Sequence, residues 1–118
     1  MQGAKILQTF HIPGTLAANI VPKFTAQCDL SLIHVSAVAS NDSDATLIIG
    51  TSADDDAYLT SSTIGDSGVP KEFDRDDFVG TQYPHITDGS VIVLTLDYDG
   101  SSGTAAANVT IVLTFVEG

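Results

Sequence analysis

The segment Ser90–Glu117, "SVIVLTLDYDGSSGTAAANVTIVLTFVE", decides the fold. Two runs in it place apolar residues at every second position. The first has Ile92, Leu94, Leu96 and Tyr98; the second has Val109, Ile111, Leu113 and Phe115. A period of two puts each set on one face of an extended strand. Val, Ile and Thr dominate both runs, as pleated surfaces favour. Between them "GSSG" is a turn, and the "DG" at Asp99–Gly100 is a strong hairpin signal.

The same alternation extends outward along the chain. "AKILQTFHI" sets Ile6, Phe10 and Ile12 against Lys5, Thr9 and His11, and "PG" at Pro13–Gly14 is expected to end that strand. "NIVPKFTA" is weaker, and Pro22, which cannot donate to a ladder, marks a sheet edge. "DLSLIHVSAVAS" predicts a strand from Asp29 to about Ala39, followed by "ATLIIGT" and "AYLTSSTI". Gly65–Gly89 reads as a long loop. "GTLAAN" and "FDRDDF" are too short for independent helices. The expectation is an all-β, antiparallel β-sandwich of about seven or eight strands with almost no helix. A jelly-roll-like arrangement comes first. An immunoglobulin-like sandwich comes second, because the Cys–Trp–Cys core of that fold is missing. No repeat or linker interrupts the pattern, so residues 1–118 are read as a single domain.

Composition excludes several functions. The formal charge is −11, and all but two of the 15 acidic side chains are Asp. Such a chain is repelled by phosphate backbones and anionic lipid, which argues against direct nucleic-acid or membrane binding. Asp favours turns and disfavours helices, so the acidity belongs in loops. No apolar window approaches a membrane span. The N-terminus lacks the pattern of a signal peptide. Cys28 is alone, which precludes an internal disulfide and predicts a buried, inert thiol. No cofactor motif is present.

The strands carry more apolar surface than a monomeric sandwich needs. Val112 and Val116 oppose the inward set of the last strand, and Val91 and Val93 oppose that of "SVIVLTLDY". In "DLSLIHVSAV", Leu30, Leu32 and Val38 oppose Ile33, Val35 and Ala37. Apolar residues on both faces predict a subunit interface and a homo-oligomer.

The carboxylates offer little chemistry. "DYDGSSG" begins like a calcium loop, with Asp97 and Asp99, but lacks a third ligand and a distal Glu. "DSD" and "DDD", including Asp54 and Asp56, flank one short strand whose ends lie at opposite ends of the sheet. Turn formation accounts for all of these, and calcium binding remains the alternative. Glycoside hydrolysis would need an aromatic cleft, and the chain has no Trp. His11, His34 and His85 form no ligand pair in sequence. The chain is therefore read as non-enzymatic. Partner contacts are expected in two places: the N-terminal segment around Lys5, and the long loop with Phe73, Arg75 and Phe78. Local pairing of Arg75 with its Asp neighbours is the competing reading of that loop.

The runs "VSAVASNDSDATLIIGTSADDDAYL", "GDSGVPKEFDRDDFVG", "DYDGSSGTAA" and "VTIVLTFVEG" resemble small β-sandwich accessory head proteins of tailed bacteriophages, the capsid decoration or cement class. The likeness covers most of the chain but contains no invariant functional residue. It implies a structural virion protein that binds the outer surface of an assembled head, assembles in the host cytoplasm and contacts the major capsid protein. It also implies self-association, with a trimer matching shell three-fold positions. The alternative is a ligand- or carbohydrate-binding sandwich of a phage fibre or tail, with calcium dependence.

Overall fold

The computed structural model describes residues 4–118. It contains β1 (Lys5–Thr15), β2 (Lys23–Thr25), β3 (Leu30–Val38), β4 (Thr46–Thr51), β5 (Leu59–Thr63), β6 (Lys71–Phe73), β7 (His85–Ile86), β8 (Val91–Asp97) and β9 (Ala107–Glu117). No helix occurs among the described residues.

Two antiparallel sheets form. The first has the order β1-β9-β3-β6, with β7 also on β3; the second has β2-β8-β4-β5. The pairing follows one rule. β1 pairs β9, β2 pairs β8, β3 pairs β6 and β7, and β4 pairs β5. The chain is thus one long antiparallel ribbon doubled at β4–β5. Rolling the ribbon brings β9 against β3 and β8 against β4, which closes each sheet. This is jelly-roll topology.

The alternation predicted for β8 and β9 holds. Ile92, Leu94, Leu96, Val109, Ile111, Leu113 and Phe115 point into one apolar cluster between the sheets. The hairpin signal does not hold, because β8 and β9 lie in different sheets. Asp99 adopts φ +42° in a turn that carries the chain across the sandwich. There its N–H bonds to Asp97 Oδ1 at 3.0 Å and its own Oδ1 accepts from Ser102 Oγ at 2.8 Å. The crossing needs partners for its backbone, and Asn41 supplies them. Its Nδ2 donates to the Ala105 carbonyl at 2.9 Å, and its Oδ1 accepts from Ala107 N–H at 3.0 Å.

Three further expectations are corrected. Pro13–Gly14 does not end β1; the strand continues to Thr15 through an irregularity between Ile12 and Thr15. There Gly14, at φ +77°, donates its N–H to Asn108 Oδ1 at 2.8 Å. In β3 a bulge between Leu32 and His34 shifts the alternation, so Leu30, Leu32, Val35 and Ala37 all face inward. That extra residue is why apolar positions of both parities along β3 reach the same face. Finally, the loop Gly65–Gly89 contains two short strands that edge the first sheet. The edge position read from Pro22 is correct, since β2 borders the second sheet.

Candidate interaction surfaces

The first sheet has an outer face with an unusual charge pattern for this chain. Register places Lys5, Leu7, Thr9 and His11 of β1 beside Val116, Thr114, Val112 and Thr110 of β9. On the other side of β9 stand Ser31, His34, Ser36 and Val38 of β3. Glu72, opposite Ser36, lies 3.3 Å from His34 Nε2. None of the strands in this sheet contains an Asp. The aspartates lie in connections, apart from Asp97 at the end of β8.

The four valines expected to form an oligomer contact therefore divide between two layers. Val112 and Val116 are half-buried on the first sheet's outer face. Val91 and Val93 belong to the second sheet, so they share no surface with the first pair. Val93 is only 4 % exposed within the chain itself. Its cross-strand partner, Gly50, sits under the backbone of the Asp54–Ala57 loop. A Cβ on Gly50 would lie 2.5 Å from the Asp55 carbonyl carbon and 2.7 Å from Ala57 N. That packing explains why β4 carries glycine at this position.

The docking loop is also redrawn. Phe73 and Phe78 are core residues, buried against the cluster between the sheets. They are not available to a partner, because β6 turns Phe73 inward opposite Val35. What the loop exposes is Arg75, Val79 and Tyr83. Among the described residues Arg75 pairs with Asp76 at 3.9 Å, the local pairing expected from their spacing. Lys71 pairs with Asp66 at 3.2 Å. Lys5 is exposed at the start of β1.

The acidic candidates form turns at opposite ends of β4. Thr46 faces Asp97, while Thr51 is bonded to the loop carrying Asp54 and Asp56. The Asp54 carbonyl accepts from Thr51 N–H at 2.8 Å and from Ala57 N–H at 3.2 Å, and its N–H donates to Thr51 Oγ1 at 3.1 Å. Among the described residues, Asp54, Asp55 and Asp56 place ligand atoms within 4.8 Å of one another, all of them exposed. A hydrogen bond with Asp54, then burial and the neighbouring charges, push the Asp56 carboxyl above its ordinary range. Near the other end, Asp44 Oδ2 accepts from Thr104 N–H at 2.7 Å.

A feature that the alternation could not reveal lies where β1 and β2 form adjacent edges of the two sheets. Ile6, Phe24, Ala26, Cys28, Leu30 and Phe115 line an apolar socket there of about 140 Å³. Phe24 reaches across the sandwich, with its ring 5.9 Å from Phe10 and in edge contact with Phe115 at 6.1 Å. Cys28 is half-buried rather than fully enclosed. Burial pushes its thiol pKa up, and Glu117, Asp88 and Asp29 add to that rise.

No protein-family profile matches the sequence. A search of curated proteins finds no match either. Among solved structures, the chain resembles one from a cyanophage Pam1 capsid asymmetric unit. The TM-score is 0.61 at 14 % identity, over 99 % of this chain and 87 % of that one. A second similarity is to the pre-peptidase C-terminal domain of a collagenase from Bacillus anthracis, with a TM-score of 0.45 at 13 % identity, over 95 % and 88 % of the two chains. At these identities, what the first similarity shows is a common fold.

Proposed function

We propose that this chain is a structural virion protein: a capsid decoration or cement protein that binds the outer surface of an assembled phage head and stabilises it. The observation that carries this reading is the near-complete overlap with a chain of a cyanophage capsid asymmetric unit. Two properties support it. The charge of −11 suits a protein kept apart from packaged DNA. The Asp-free outer face of the first sheet, with Leu7, Val112 and Val116 and with Glu72 held beside His34, gives copies of so acidic a chain a place to meet with reduced like-charge repulsion. The partners are then the major capsid protein and the chain itself, with a trimer matching shell three-fold sites. The protein works non-enzymatically and joins the head in the host cytoplasm.

The test is co-sedimentation of purified protein with undecorated shells of its own phage, followed by heating the particles. Bound protein should raise the temperature at which shells rupture. Protein that stays in the supernatant, or shells no more resistant with it than without it, would refute the reading.

A further inference from the structure

Among the described residues β1 is an edge strand, and the register defines which of its groups face the open side. The Ala4 carbonyl accepts from Glu117 N–H at 3.0 Å, and Lys5 stands opposite Val116. Successive residues of an antiparallel strand alternate in which side they bond. Ala4, Ile6, Gln8 and Phe10 therefore serve β9, while Lys5, Leu7, Thr9 and His11 turn their N–H and C=O groups to the open side. Natural edges are usually blunted by charge, proline or a bulge. Here those devices stand at the two ends, in Lys5 and in Pro13–Gly14. From Ile6 to Ile12 there is no Asp, Glu, Lys, Arg, Gly or Pro.

Apolar side chains are exposed on both faces of this edge. Leu7 is 63 % exposed on the outer face and Ile6 is 37 % exposed on the inner one. Below Ile6 opens the socket lined by Phe24, Leu30 and Phe115. A strand added to an edge gains affinity from main-chain bonds, and pockets for alternate side chains give it specificity. Both parts are present here. The charge around the socket selects the occupant: Leu30 in the socket wall stands opposite Glu117 and follows Asp29, whose Oδ1 accepts from Asp88 N–H at 2.8 Å. A strand arriving there is favoured if it carries a cation at that end. A second copy pairing through its own β1 about a two-fold axis would bring its Pro13–Thr15 end, not Lys5, to those carboxylates.

We propose that the free edge of β1 takes up an extended segment of the shell subunit, seating one apolar side chain in the Phe24–Phe115 socket and setting a Lys or Arg beside Asp29, Asp88 and Glu117. This rests on the shell-binding reading above. The test compares wild type with Thr9→Pro on undecorated shells by co-sedimentation. Thr9 is exposed and its N–H faces the open side, so proline removes an edge donor without breaking the β9 ladder. Affinity should fall at least about tenfold, with thermal unfolding of the free protein nearly unchanged. Equal binding by wild type and Thr9→Pro would overturn the edge proposal and leave the shell reading intact. Failure of wild type to bind would remove both.

A measurement on wild type covers the case in which the variant misfolds. Amide exchange at Leu7, Thr9 and His11 should slow at least about tenfold on shells. Unchanged exchange on shells would overturn the proposal. So would protection already complete in the free protein, because a second copy would then occupy the edge.

Discussion

Replacing Asn41 with Ala should remove two hydrogen bonds that hold the crossing from β8 to β9. β8 and β9 belong to opposite sheets, so the segment joining them cannot satisfy its backbone in a hairpin ladder. The Asn41 amide acts in place of a neighbouring strand, with a donor bond of 2.9 Å to Ala105 and an acceptor bond of 3.0 Å from Ala107. Each bond is worth about 1 kcal/mol net, and its loss also leaves a partly buried backbone group unpaired. Together they come to about 2 kcal/mol. For a chain of this size, unfolding midpoints move by roughly 4 °C per kcal/mol, so Asn41→Ala should melt about 8 °C below wild type. Circular dichroism on heating reads this directly. Asn41→Asp keeps the acceptor but sets a carboxylate against the Ala105 carbonyl oxygen. At neutral pH it should be at least as unstable as Asn41→Ala. Because protonation restores a donor, the folded state raises the pKa of the introduced carboxyl. The stability it contributes is present below the ordinary carboxylate range and lost as pH rises through the raised value. Near pH 4 the aspartate variant should therefore overtake the alanine one. An alanine variant melting within a degree of wild type would refute the bridging role of Asn41.

Other consequences are as direct. Gly50→Ala should destabilise strongly, because its Cβ would meet the backbone of Asp55 and Ala57 rather than a yielding side chain; denaturant titration reads the loss. Phe78→Ala should cost about 3–5 kcal/mol and Arg75→Glu almost none, since the first is core and the second exposed; urea midpoints separate the two. The Asp56 carboxyl is raised first by its hydrogen bond with Asp54, so the folded chain holds that proton more tightly than the unfolded one. Its contribution weakens as pH rises through the carboxylate range, and Asp56→Asn should flatten that part of the stability–pH profile. If the Asp clusters are only turns, chelator should leave the melting temperature unchanged. A calcium-dependent rise of several degrees would promote the calcium-binding alternative.

The parts of the structure legible in the sequence were those set by local alternation. β8, β9, β4 and most of β1 follow from period-two patterns, and Pro22 correctly marked an edge. What alternation cannot encode is which sheet a strand joins. Asp99–Gly100 carries the chemistry of a tight turn, and that chemistry serves an arch between sheets as well as a hairpin. A bulge is equally silent, since Ile33 looks like any other β-branched strand residue. Phe73 and Phe78 were misjudged because they sit among charged turn residues, whereas short strand β6 and the turn after it carry both into the core. The socket of Phe24, Leu30 and Phe115 needed three strands brought together from both sheets. The one hint was the pair of phenylalanines on the first two strands, Phe10 and Phe24.

Imaging the assembled head with and without this protein tests the central claim most directly. Density of jelly-roll shape should appear on the outer surface of the shell only when the protein is present, at repeated positions, with the β1 edge turned toward the shell subunit. Heads whose outer surface is identical in the two preparations would contradict the account, as would density confined to the tail or its fibres.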